Sequence, residues 1–180
     1  MAKLIYGLNM SLDGYVNHDH PNFLPDPVLF RYFIGQARAC AGSIYGRTMY
    51  ELMRIWDEDL PNWDAAEREY AQAWRSHPKW VVSKTLNVVG PHASLITGDV
   101  EGAIRGLKEQ VEGELEIAGP TLAGSLKDPS LIDAYVIYLR PAVVGSAEGR
   151  PFFTGPRPPL HLVSVEQVSP EVVKLVYVPA

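Results

Sequence analysis

Apolar residues come in short blocks along this chain, and the spacing inside the blocks changes as the chain proceeds. Residues 3–9 alternate loosely and predict an opening strand. Ser11-Leu12-Asp13-Gly14-Tyr15 predicts a turn, because Asp-Gly suits a tight reversal. Residues 17–25 are polar and contain proline, which predicts a loop. Asp26-Pro27 marks a helix start: Asp caps free amides, and Pro is tolerated at the first helical position. That helix carries Val28, Leu29, Phe30, Tyr32 and Phe33 towards Cys40.

The same reading predicts strands over 43–45, 79–83, 94–97 and 114–118. Helices are predicted over about 47–54, 65–74, 98–111 and 120–126, with an acidic, tryptophan-bearing loop over 55–62. The last third turns to strands over 134–144, 160–167 and 172–178, with a Gly/Pro-rich loop over 145–159. Strand–helix alternation over the first two-thirds implies βαβ units and a mainly parallel sheet. The last pair, joined around Ser169-Pro170, reads as an antiparallel hairpin on the sheet edge. With 180 residues, no repeat and no linker, one domain over 1–180 is expected.

Composition narrows the function classes. A net charge of −5 disfavours a nucleic-acid partner, which needs a basic face. It leaves room for a phosphate-bearing ligand, since local fields outweigh the total. No apolar run reaches the ~18 residues of a membrane span, and the first apolar block is too short for a secretion signal. The single Cys40 cannot form an internal disulfide. A reducing compartment and a cytoplasmic location are expected. Ala39, Ala41 and Gly42 beside Cys40 point to a buried thiol, not a nucleophile.

Three strand-to-helix turns carry the candidate chemistry. In Gly46-Arg47-Thr48-Met49-Tyr50-Glu51, glycine lets the backbone approach a ligand and Arg47 offers a planar cation for phosphate. Thr48 and Glu51 have capping-box spacing, so a well-capped surface helix is the alternative. Ser83-Lys84-Thr85 sets two hydroxyls around a cation, or is simply a polar turn. Gly119-Pro120-Thr121-Leu122 offers close approach and unpaired amides, or is simply a tight connection. Ligands of open α/β sheets bind beyond the carboxyl ends of parallel strands, where all three turns fall. There is no G-x-G-x-x-G, so a dinucleotide would be shared among separate turns.

Asp13, Asp26 and Trp56 are candidate substrate contacts, each with an ordinary alternative as turn former, helix cap or packing residue. His18-Asp19-His20 lacks a third ligand nearby, and no metal site is expected. No Ser-His-Asp or Cys-His arrangement can be built from local signatures, so no catalytic residue is named.

Taken in order, these segments resemble the dihydrofolate-reductase-like superfamily, and within it the stand-alone relatives of the riboflavin-biosynthesis reductase (RibD C-terminal) domain. The carrying segments are Ser11 to Tyr15, Tyr45 to Glu51, Val82 to Thr85, Ile117 to Leu126, Leu131 to Tyr135, Arg140 to Ser146 and Pro151-Phe152-Phe153. The resemblance implies a three-layer α/β fold with helices on both faces of the sheet, a homodimer, and NADPH as hydride donor. It implies cofactor contacts at Gly46, Arg47, Thr48 and Met49, at Ser83, Lys84 and Thr85, and at Gly119, Pro120, Thr121 and Leu122. It implies a small heterocyclic substrate, with 5-amino-6-(5-phosphoribosylamino)uracil the leading expectation. Dihydrofolate reduction and a non-catalytic nucleotide-binding module are the alternatives. Two departures stand out. Ala118-Gly119 replaces the Gly-Gly of dihydrofolate reductases, and the position of their substrate-binding acid falls on Pro27, one residue past Asp26.

Overall fold

A computed structural model describes residues 1–180. Eight strands form one sheet in the order β5-β4-β3-β6-β1-β7-β10-β9. The strands are β1 (Lys3–Met10), β3 (Gly42–Gly46), β4 (Lys79–Val82), β5 (Ala93–Ile96), β6 (Glu114–Ala118), β7 (Ala134–Leu139), β9 (Leu160–Ser169) and β10 (Val172–Pro179). Every pairing from β5 to β7 is parallel, whereas β10 runs antiparallel to β7 and to β9. The expected mainly parallel sheet with a closing antiparallel hairpin is present. A two-residue pairing of β2 (Tyr15–Val16) with β8 (Arg150–Pro151) stands apart from it.

Helices α4 (Val100–Gln110) and α5 (Pro120–Ser125) cover one face. Their core includes Leu4, Tyr6, Ile44, Leu115, Ile117 and Phe152. The opposite face meets α1 (Pro27–Ala39), α2 (Arg47–Met53) and α3 (Ala65–Arg75). There Tyr45, Tyr50, Trp74, Val81 and Ala118 pack together. The alternation along β6 assigns the faces: Leu115 and Ile117 are fully buried on the α4 side, and Glu116 points to the other. No helix is long and apolar enough to cross a membrane.

Two local expectations change. The capping box lies not at Thr48 and Glu51 but at Asp64 and Glu67, which start α3. Helix α2 begins after Gly46 with no side-chain cap, and Glu51 pairs with Arg47 instead. The strand expected over 134–144 stops at Leu139. Beyond it Arg140 is buried, donating from Nη2 to the Leu24 carbonyl at 2.8 Å, and Pro141 removes a ladder donor.

Candidate functional site

β4, β3 and β6 are adjacent and parallel, so the turns after them emerge side by side on one rim. Gly46, Arg47, Thr48 and Met49 and then Gly119, Pro120, Thr121 and Leu122 line one cleft of about 580 Å³. Arg47 ties in the third turn, donating from Nη1 to Thr85 Oγ1 at 3.1 Å. Ser83 is buried, and its hydroxyl accepts from the amides of Thr85 and Leu86. It therefore shapes the turn, Lys84 stands exposed beside it, and none of Ser83, Lys84 and Thr85 lines the cleft itself.

Gly119 adopts φ +110°, which side chains strongly disfavour. Pro120 then starts α5 with no side-chain cap. The amides of Thr121 and Leu122 precede the first internal bond of the helix, Ala123 N–H to the Gly119 carbonyl. Ala118, where a second glycine was absent from the motif, is buried against Tyr45 and Trp74.

A second and larger cavity, about 820 Å³, lies between α1, α3 and the sheet. The two share a wall made by Leu8, Asn9, His18, Phe23 and Met49. Aromatic rings dominate its helical side. Trp56 packs at a tilt against Tyr70 and Trp63 at ring separations of 4.7 and 5.0 Å, and Phe30 stacks on Tyr70 at 5.6 Å. Trp56 thus both packs and lines the cavity.

The two candidate acids lie outside both linings. Asp13 accepts from the Ser11 hydroxyl and from the amides of Val144 and Gly145, which holds its carboxyl below the usual range. Asp26 accepts from the amides of Val28 and Leu29 as the cap of α1, and its carboxyl is likewise held low. His18, weighed in the sequence only as a metal ligand, lines both cavities and remains exposed. Cys40 is half-buried and not fully enclosed as expected, and its thiol is pushed up to about 11 by desolvation and by Glu116 nearby.

Sequence reasoning passed over Glu116. Its carboxyl faces the large cavity, and desolvation lifts it to about 7. The surface it retains opens onto that cavity. A signal was available: central parallel strands read as near-continuous apolar runs, and Leu115-Glu116-Ile117-Ala118 breaks one with an acid.

The family description "RibD C-terminal domain" matches residues 2–174. The chain belongs to that family. Across 97% of its length it is 27% identical to the uncharacterized protein YyaP of Bacillus subtilis (strain 168), of which it covers 94%. Among solved structures it resembles a Shewanella sp. PV-4 protein named for riboflavin biosynthesis, with a TM-score of 0.70, 22% identity, and coverage of 100% of this chain and 99% of that one. Acinetobacter baumannii RibD matches over 100% of this chain with a TM-score of 0.70 and 17% identity. The chain spans only 58% of that longer protein. A Thermotoga maritima diaminohydroxyphosphoribosylaminopyrimidine deaminase/5-amino-6-(5-phosphoribosylamino)uracil reductase matches at a TM-score of 0.67 and 14% identity, over 99% of this chain and 57% of its own. At these identities the solved structures establish the reductase-domain fold. Family membership supports an oxidoreductase.

Proposed function

We propose that the protein is a single-domain, NADPH-dependent reductase of a small heterocyclic molecule, with the cofactor in the 580 Å³ cleft and the substrate in the aromatic cavity beside it. The observation that carries this reading is the shared wall at Leu8, Asn9, His18, Phe23 and Met49. Two ligands in separate but adjoining cavities meet face to face only there, and hydride transfer needs such short-range stacking.

The residues present fit a dinucleotide. Gly46 and Gly119 keep side chains off the backbone beside it, Arg47 offers a planar cation to its phosphates, and the exposed Lys84 suits a further phosphate on the adenosine. When bound, the nicotinamide supplies the hydride. The protein's own part is to seat the cofactor on the Gly46 and Gly119 turns, exclude water with Phe23, Met49 and Trp56, and hold the substrate against the shared wall.

Uracil reduction of the kind named for the Thermotoga relative is the leading reaction to assay. Dihydrofolate is a weaker fit, since the acid nearest the expected place, Asp26, is spent on capping α1. The test is titration of NADPH and NADH against tryptophan fluorescence, with Arg47→Ala alongside. Quenching by NADPH at lower concentration than by NADH, weakened in the variant, supports the reading. No response to either nucleotide overturns it. Binding without turnover on any substrate would mark the protein as a non-catalytic module.

A further inference from the structure

Three acids line the large cavity: Glu114 is exposed, Asp133 pairs with Lys108 at 2.6 Å, and Glu116, half-buried among apolar groups, has no paired cation. Glu116 occupies the middle of β6, in register with Ile5 of β1 and Ser43 of β3. From β3, Ser43 is the one neighbour favouring its charged form, and that hydroxyl is shared with His77 Nε2 at 3.1 Å. The other titratable groups feeling its charge are Tyr45 of β3, Tyr70 of α3, Tyr138 of β7 and Cys40 at the end of α1. All four are neutral acids whose own pKa is pushed up. The buried cation on this face, Lys79, turns elsewhere: its Nζ lies 4.0 Å from the centre of the Trp74 ring, and Asp57 is the acid that acts on it. Lys174, also on the cavity wall, pairs with Glu166 and donates to the Tyr32 hydroxyl.

A carboxylate taken out of water without a partner is costly, and either stays protonated or acquires a cation. The aromatic faces of Phe30, Phe33, Trp56 and Tyr70 around the same space also favour a cation over an anion. A phosphorylated substrate lying deep would set like charge against Glu116. The volume, about 820 Å³, is that of a site for a drug-sized molecule.

Building on the reductase reading, we propose that the part of the substrate held in this cavity is largely apolar and carries a basic nitrogen, an ammonium, amidinium or protonated ring nitrogen, that pairs with Glu116, with any phosphate left outside it. Its apolar body lies against the rings of α1 and α3. Gly119 follows Glu116 by three residues, about 10 Å of extended strand. The reducible atom therefore lies on the order of 10 Å from the basic nitrogen, at the wall shared with the cofactor cleft.

The test uses three near-isosteric probes at pH 8: tryptamine, tryptophol and indole-3-acetate, titrated calorimetrically into the full chain. Tryptamine is expected to bind at least tenfold tighter than tryptophol, with the acetate weakest. Glu116→Gln should erase the tryptamine advantage and leave tryptophol unchanged. Gly7→Val, whose added bulk enters the cavity beside Val136, should weaken all three, with circular dichroism confirming the fold. Equal binding of amine and alcohol by the wild type, or an amine preference that survives Glu116→Gln, overturns the proposal. So does sedimentation showing a dimer that takes up none of the probes, since a second copy then covers the cavity. NADPH is titrated separately. Amine preference without NADPH binding would sink the reductase reading and leave a cation-binding cavity, whereas NADPH binding without amine preference would do the reverse.

Discussion

Arg47 and Thr85 are bonded across the rim at 3.1 Å, so the turn after β3 is tied to the turn after β4 by a side chain that also pairs with Glu51. Arg47 is half-exposed, and its surface pairs contribute little to folding. Arg47→Ala should therefore leave thermal stability nearly unchanged and weaken NADPH at least tenfold, about 1.4 kcal/mol. Fluorescence titration beside a melting curve checks both halves. A large loss of stability with unaltered NADPH affinity would count against a cofactor role.

Gly119→Ala acts on the backbone. At φ +110° a side chain is strained even though the nearest atom to an added Cβ, Met49 Cβ, is 3.9 Å away. The expected cost is about 1–3 kcal/mol. Urea denaturation measures it, and NADPH affinity should fall with it, because the turn must shift to relieve the strain.

The loop before β9 is fitted closely to α5. Thr154 Oγ1 donates to the Pro120 carbonyl at 2.6 Å, and a Cβ on Gly155 would collide with the Gly124 carbonyl oxygen. Backbone, not a flexible side-chain tip, would have to give way. Gly155→Ala should destabilise by about 1–3 kcal/mol. Hydrogen exchange should show the loss as faster opening of the segment around Phe152.

Two buried groups oppose each other in their pH dependence. Glu116 has a folded pKa of about 7, above its ordinary 4.5, so the folded state holds a proton that the unfolded state releases between those values. Its contribution to stability falls as pH rises from 4.5 to 7, by about 3 kcal/mol. His77 has a folded pKa of about 4, below its ordinary 6.5, through burial and the charge of Lys79. Its contribution rises with pH from 4 to 6.5. The wild type should therefore be nearly flat in stability between pH 5 and 6.5 so far as these groups decide it. Glu116→Gln should leave stability rising across that interval, and His77→Gln should leave it falling. Melting temperatures at half-unit pH steps check the two slopes.

Much of the fold was legible because parallel strands alternate with helices that carry their own start signals. Asp26-Pro27 and Gly119-Pro120 begin helices where the residue types demanded. The rim was legible as three turns, but their adjacency came from strand order, which local pattern does not encode. The Thr48–Glu51 spacing misled because α2 begins at Arg47, which puts Thr48 inside the helix and not at its cap. The aromatic cavity was invisible for a different reason. Phe30, Trp56, Tyr70 and Tyr138 come from three separate helical segments and a strand, and only tertiary packing sets them around Glu116.

The place of β1 in the sheet also governs how the chain comes together. This first strand lies between β6 and β7, with Tyr6 opposite Ile117 on one side and Tyr135 on the other. Its partners lie more than a hundred residues downstream, so during synthesis the N-terminal strand waits unpaired while β3, β4 and β5 can already associate. Such long closures slow folding. The turns after β3 and β4 belong to the early part, whereas Gly7 and Glu116, on the floor of the large cavity, meet only at the end. The protein completes its large cavity in the last step of its assembly.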